Sequence, residues 1–268
     1  MIPVVVIARR PSTYARRIVA GLAATGLPPR LLLTGSPVER LIAPVEKILR
    51  VRRQLGLREA FHYVRRLGKQ VPVLDPPPTL SELLQSTRSR HQLYDAINSG
   101  FVLSTLAVHA PSIVVLAGTG VVDRAFLAAN RDGFTVNGHP ALLPGIRGVD
   151  VIEWALAEDR PLGVSAHLVV PSVDAGDLLV TEPIEINAGD TSLEALKARI
   201  IIRQAGAVIA ATVALARGYA SPQSHDLGRS VFRLTAPAEV HAEARRKLAD
   251  RVATLTRDRT PLAEVSQG

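Results

Sequence analysis

An amide two residues before an imidazole, on an extended segment, could stabilise a growing negative charge and carry a proton. Thr135-Val136-Asn137-Gly138-His139-Pro140 offers that pattern. Side chains alternate along a strand, so Thr135, Asn137 and His139 share one side. Asparagine brings a neutral N–H donor, and histidine a tunable acid or base. Gly138 between them would let a ligand approach the main chain. Read alone, the pair fits a strand end with a capping asparagine better than a catalytic pair. A second histidine sits in Gly163-Val164-Ser165-Ala166-His167-Leu168-Val169-Val170, where Gly163, Ser165, His167 and Val169 share a face. By itself it fits a hydrogen-bonded structural role better than a place in a cleft. Pro171-Ser172-Val173-Asp174-Ala175-Gly176-Asp177 then carries two carboxylates on a turn-rich loop. Either can be a plain turn residue. Asp174 beside a histidine would instead favour the imidazolium and fix its orientation.

Two other chemistries are weaker. Gly118-Thr119-Gly120-Val121-Val122-Asp123 begins like a dinucleotide fingerprint, but Asp123 replaces the third glycine and no acidic residue follows at the expected distance. His139, His167 and Asp174 could be drawn as a metal site, yet no helical His-Glu spacing accompanies them, and no metal is expected. Cysteine is absent, so there is no thiolate zinc site, disulfide or cysteine nucleophile.

The elements around these residues read as alternating strands and helices. Short β-branched runs at 3–8, 31–33, 112–117 and 134–137 look like buried parallel strands. Further strands are predicted at 163–170 and 178–186. Ser12 should cap a helix to about residue 25, and Thr191 should open one to about residue 217. Helical patterns fill 46–70, divided at Gly56, and 79–109, with shorter helices up to about Asn130 and over 149–158. A weak strand at 230–234 and a helix at 237–256 precede a tail expected to be disordered. The expected fold is α/β, a Rossmann-like, doubly wound and mostly parallel sheet. Residues 1–218 would form the catalytic domain and 219–268 a small strand-helix extension with its tail.

The chain has 268 residues, 47% of them apolar, enough for a sizeable core. No apolar run approaches the length of a membrane span and the N-terminus lacks a signal-peptide pattern, so a cytoplasmic protein with no membrane partner is expected. Net charge is +8. Residues 46–70 hold eight basic side chains against two acidic ones, a net +6. That concentration suggests anionic partners or a solvated surface. Aromatic residues are 4% of the chain, which leaves little for base stacking and makes nucleic acid a poor partner.

Taken together, the segments resemble the folate-dependent formyltransferase family. Asn137-Gly138-His139-Pro140-Ala141-Leu142-Leu143-Pro144 runs through Arg147-Gly148, followed by Gly163 to Val169 and then Val173-Asp174-Ala175-Gly176-Asp177-Leu178-Leu179. Order and spacing agree with the family, over roughly residues 95–215. The resemblance implies Asn137, His139 and Asp174 as the catalytic triad. It implies 10-formyltetrahydrofolate as co-substrate, held by Gly118, Thr119, Val121 and Val122 on one side and His167, Val169 and Pro171 on the other.

Departures from individual branches narrow the expectation. Glycinamide ribonucleotide transformylases carry a Gly-Ser-Asn phosphate loop after the first strand, where this chain has Ala8-Arg9-Arg10-Pro11-Ser12. The residues after 218 are too few for the β-barrel of the tRNA enzymes, and no deformylase-type regulatory module precedes the first strand. The sugar branch fits best, and the Arg147-Gly148 pair suits it. The expected acceptor is a small anionic amine, phosphorylated or nucleotide-linked, bound with the help of Arg9, Arg10, Arg147 and Gly148. Glycinamide ribonucleotide is an alternative acceptor. Hydrolysis of the formyl carrier is an alternative outcome, and a catalytically silent folate- or nucleotide-binding protein an alternative class. A homodimer is compatible with all of these.

Overall fold

The computed structural model describes residues 2–66 and 71–257. The predicted tail beyond 257, Lys69 of the basic stretch and the side chain of Arg66 lie outside the described set.

Two βα units open the chain. Strand β1 (Val4–Ala8) is buried throughout, as a central parallel strand must be. Ser12 caps helix α1 (Thr13–Ala24), its hydroxyl accepting from Ala15 N at 3.2 Å. Strand β2 (Leu31–Gly35) leads to α2 (Pro37–Leu55), which starts before the predicted basic stretch because Ser36 caps it and Pro37 suits the first turn. Gly56, at φ 92°, ends α2, and α3 (Leu57–Arg66) follows.

The next segment differs from the sequence reading. Helix α4 (Leu80–Thr87) and α5 (Gly100–His109) flank a strand, β3 (Arg90–Tyr94), inside the stretch read as wholly helical. Its residues, Arg-His-Gln-Leu-Tyr, are mostly exposed, because β3 is the sheet's edge and needs no apolar alternation. Strand β4 (Ile113–Leu116) and α6 (Arg124–Ala129) come next. Asp123, the residue that broke the dinucleotide pattern, is the N-cap of α6, accepting from Phe126 N at 2.8 Å.

Strand β5 (Phe134–His139), a short β6 (Ile146–Gly148), α7 (Val151–Ala157), β7 (Leu162–Leu168) and β8 (Leu178–Ile184) build the site half. Helix α8 (Leu193–Ala216) crosses behind β5 and β7, capped by Ser192 rather than Thr191. It is long and apolar enough to cross a membrane by length and composition, but its buried side chains, Leu196, Ile200 and Val208 among them, belong to the core.

The seven-stranded sheet runs β3-β2-β1-β4-β5-β7-β8, parallel through β5 and antiparallel for β7 and β8. One apolar cluster packs α1 and α8 on one face; a second, around Leu106, Phe126 and Tyr94, lies on the other. After α8 the chain returns to the site. Strand β9 (Val231–Arg233) pairs in parallel with β6, and α9 (Ala238–Arg257) packs on α7.

Candidate active site

Antiparallel pairing brings the two histidine strands into register. Asn137 is the partner of His167, and His139 of Ser165. His139 and His167 are buried, 3% and 2% exposed, at the carboxyl end of β5. Asp174 hangs over them from the loop between β7 and β8, its backbone in the left-handed region at φ 51°. Its Oδ2 lies 3.5 Å from His139 Nδ1 and its Oδ1 lies 3.6 Å from His167 Nε2. The Gly148 N–H donates to Oδ2 at 3.0 Å.

Backbone carbonyls settle the ring protons, since a carbonyl can only accept. His139 Nε2 donates to Ile146 O at 2.9 Å, which leaves Nδ1 facing Asp174. His167 Nδ1 donates to Leu168 O at 2.8 Å, which leaves Nε2 to accept from Asn137 Nδ2 at 3.3 Å. Burial pulls the His139 pKa below its ordinary value, and the Asp174 carboxylate opposes that without cancelling it. Burial alone would raise the Asp174 pKa, but the neighbouring His167 and His139 rings and the Gly148 N–H outweigh it, so the group titrates below the usual carboxylate range.

The cluster opens on a cleft of about 950 Å³, within the range of small-molecule sites. Asn137, His139, His167 and Asp174 all line it. So do Gly118, Thr119, Val121 and Val122 after β4, and Val169 and Pro171 after β7. Val121 is 63% exposed and Val170 37% exposed, apolar side chains standing at the cleft with little to cover them. Among the described residues no group of three or more His, Cys, Asp or Glu side chains suits a metal ion.

The basic residues divide. Arg9 lines the cleft, held by Glu39 Oε1 at 3.0 Å from its Nε. Arg10 is exposed and outside the lining. Arg147 is also outside it: its Nε donates to Ser230 Oγ at 3.0 Å and its Nη1 to Val173 O at 3.1 Å, so its fork braces the Asp174 loop. Gly148 lines the cleft, and its φ of 105° and the close approach of the Arg233 carbonyl oxygen leave no room for a side chain.

Gly138 lines the cleft, as its sequence suggested, and it also lets two helices close on the strand. A methyl group there would sit 2.6 Å from Val208 Cγ2 and closer still to the Tyr14 hydroxyl, so the glycine admits α1 and α8. Sequence reasoning missed three residues. Gln204 of α8 donates to Gly138 O at 2.7 Å and so clamps the strand between Asn137 and His139. Asn98 donates to Val121 O at 3.1 Å and accepts from Asp123 N at 3.1 Å, fixing the loop after β4. Tyr14 lines the cleft, its buried hydroxyl has no partner among the described residues, and burial raises its pKa. None of the three carries a local signal, because the residues that surround each are distant in sequence.

Known proteins resemble parts of this chain. Residues 80–212 match the profile of the formyl transferase family. A phosphoribosylglycinamide formyltransferase of Mycobacterium tuberculosis is 34% identical over 127 residues, 47% of this chain and 58% of that protein. A methionyl-tRNA formyltransferase of an Anaeromyxobacter species is 30% identical over 140 residues, 52% of this chain and 44% of that protein. The chain thus spans about half the length of the curated relatives it matches. A solved sugar N-formyltransferase from a Shewanella species superposes at a TM-score of 0.58 with 13% identity, covering 92% of this chain and 88% of that one. Phosphoribosylglycinamide formyltransferase from Bacillus halodurans superposes at 0.54 with 22% identity, covering 78% and 92%. At these identities the two structures share the fold.

Proposed function

We take as premise that the chain, through residues 80–212, belongs to the formyl transferase family, and we propose that it moves a formyl group from 10-formyltetrahydrofolate to the primary amine of a small anionic acceptor, phosphorylated or nucleotide-linked. The observation that carries this reading is the contact of Asp174 with both His139 and His167, beside Asn137, on the floor of one cleft.

The folate fits the wall between the loop after β4 and the loop after β7, where exposed apolar side chains such as Val121 and Val170 suit a flat ring. As carrier it supplies a formyl carbon open to attack by an amine. Asn137 keeps one amide hydrogen on His167 and turns the other to the cleft, as a donor to the oxygen that becomes negative. His139, its Nε2–H spent on Ile146, works from Nδ1. That nitrogen becomes the second donor only when it takes up a proton, a state that Asp174 favours and burial opposes. Asp174 accepts the proton shed by the amine as the new C–N bond forms. That proton returns to the folate nitrogen as the old C–N bond breaks. Neither a covalent enzyme adduct nor a metal is needed to balance these steps.

Arg9 would meet the acceptor's anionic group, since it follows β1 at the same sheet edge and keeps part of its fork free. The test is incubation with 10-formyltetrahydrofolate and a panel of amines, read by mass spectrometry. The reading expects one formyl unit gained by a phosphorylated or nucleotide-linked amine. Formate release without any formylated product would make the protein a hydrolase, and formylation confined to tRNA would remove the small acceptor.

A further inference from the structure

The hairpin of α2 and α3 carries an apolar surface that folding does not use. On α2, Val38, Leu41, Ile42, Val45 and Leu49 recur at three- and four-residue spacing, which lines them along one side of the helix. All five are exposed, Leu41 at 73%. On α3, Leu57, Phe61 and Val64 repeat the pattern, with Phe61 at 62%. Single exposed apolar residues need no account, but eight large ones on consecutive helices do. The hairpin's inward contacts are made by others, such as the buried Val51 and Ala60.

The same helices hold uncompensated charge. From Pro37 to Arg66 there are eight basic and three acidic residues, a net +5. Two of the acids are occupied, Glu39 by Arg9 and Glu59 by the Ala238 N–H. Arg50, Arg52, Arg53 and Arg58 are exposed and make no ion pair among the described residues. The arginines of the other long helices differ: Arg199 and Arg203 on α8, and Arg245, Arg246 and Arg251 on α9, each meet a carboxylate.

An apolar stripe flanked by free cations is what a helix lying in a bilayer interface presents. Its apolar side chains enter the acyl boundary while arginines meet the headgroup phosphates. A second copy of the chain suits the patch less well, because a two-fold contact would set this positive charge against itself. We propose that the α2–α3 hairpin docks the protein on an anionic lipid surface. The expectation of no membrane partner rested on the lack of a spanning run; an interfacial helix needs none. Glu46, Lys47 and Arg50 of α2 also line the cleft, so docking would hold the cleft mouth beside the bilayer. Docking is independent of the chemistry inside the cleft.

Sedimentation of the full chain with lipid vesicles tests this. Binding is expected to vesicles of phosphatidylcholine mixed with phosphatidylglycerol, weakening as salt rises, and not to phosphatidylcholine alone. Leu41→Glu with Phe61→Glu should abolish it. Arg52→Gln with Arg53→Gln should weaken it about fivefold per arginine removed, and decides the matter if circular dichroism shows the first pair unfolded. No binding to the anionic vesicles, or equal binding to both kinds, overturns the proposal. So does a dimer, seen by light scattering, that Leu41→Glu with Phe61→Glu dissociates while vesicles bind neither form; the face would then join two copies.

Discussion

Asn137 and His167 face each other across the antiparallel pair of β5 and β7, with Nδ2 3.3 Å from Nε2. The histidine is an acceptor at that nitrogen because its other nitrogen donates to Leu168 O. It therefore selects which end of the Asn137 amide points inward. Asn137→Ala should lower turnover by about 10²–10³, and His167→Ala should lower it less, by freeing the amide to rotate. In the Asn137→Ala background, His167→Ala should cost little more. A double-mutant cycle in kcat checks this, and additive losses would show that the two residues act separately.

The loop carboxylates are separable. Asp174 touches both histidines and the Gly148 N–H, whereas Asp177 contributes its main-chain oxygen to Leu168 N. Asp174→Asn and His139→Ala should each cost about 10²–10⁴ in turnover with the fold intact, and Asp177→Asn should leave it near wild type. Equal damage from Asp177→Asn would reassign the loop's acid.

The buried histidine gives acid sensitivity a definite sign. His139 has a folded pKa below its ordinary 6.5, so it stays neutral where the unfolded chain takes up a proton. Its contribution to stability is unpenalised above that value and falls as pH drops through it towards the folded pKa. Asp174 acts lower. Its depressed pKa stabilises the fold above 3.8 and loses that effect as pH falls through the folded value. Melting temperatures of wild type and His139→Gln should therefore converge as pH falls below 6.5 and before Asp174 titrates. Contributions from other groups, such as the buried Glu153, cancel in the difference. A constant gap between the two melting curves would refute the assignment.

The arginines that looked alike in sequence should behave differently. Arg9 lines the cleft, Arg10 is exposed, and Arg147 braces the Asp174 loop. Arg9→Gln should raise the acceptor KM about ten- to hundredfold with little change for the folate, a loss of about 1.5–3 kcal/mol if its hydrogen bond to the anion is charge-assisted. Arg10→Gln should change neither constant. Arg147→Gln should lower kcat through the loop. Initial-rate kinetics with both substrates varied separate the three outcomes.

The sheet's interior was legible because buried parallel strands are continuous apolar runs; Val4–Ala8 and Ile113–Leu116 could be little else. The polar centre was legible because strand alternation places Asn137 beside His139 and because the loop motif follows at a recognisable distance. Edge and small strands were not. Arg90–Tyr94 has no apolar face to announce it, and Ile146–Gly148 exists only through its partner at 231–233. Long-range packing was hidden as well. Gly138 looked like a ligand approach and does line the cleft, but nothing local announced that it also makes room for Tyr14 and Val208, whose helices are far apart in sequence.

The short ladder between β6 and β9 gives the site an order of birth. Ile146 and Gly148, on β6, supply the carbonyl that fixes the His139 ring and the N–H that seats Asp174. That strand is held by Val231 N–H to Gly145 O at 3.0 Å and by Val149 N–H to Arg233 O at 3.0 Å. During synthesis from the N-terminus, Asn137, His139, His167 and Asp174 leave the ribosome well before residues 231–233. The nascent chain therefore holds the acid-base residues before it holds the brace that aligns them. Assembly of the centre waits for the closing strand, β9.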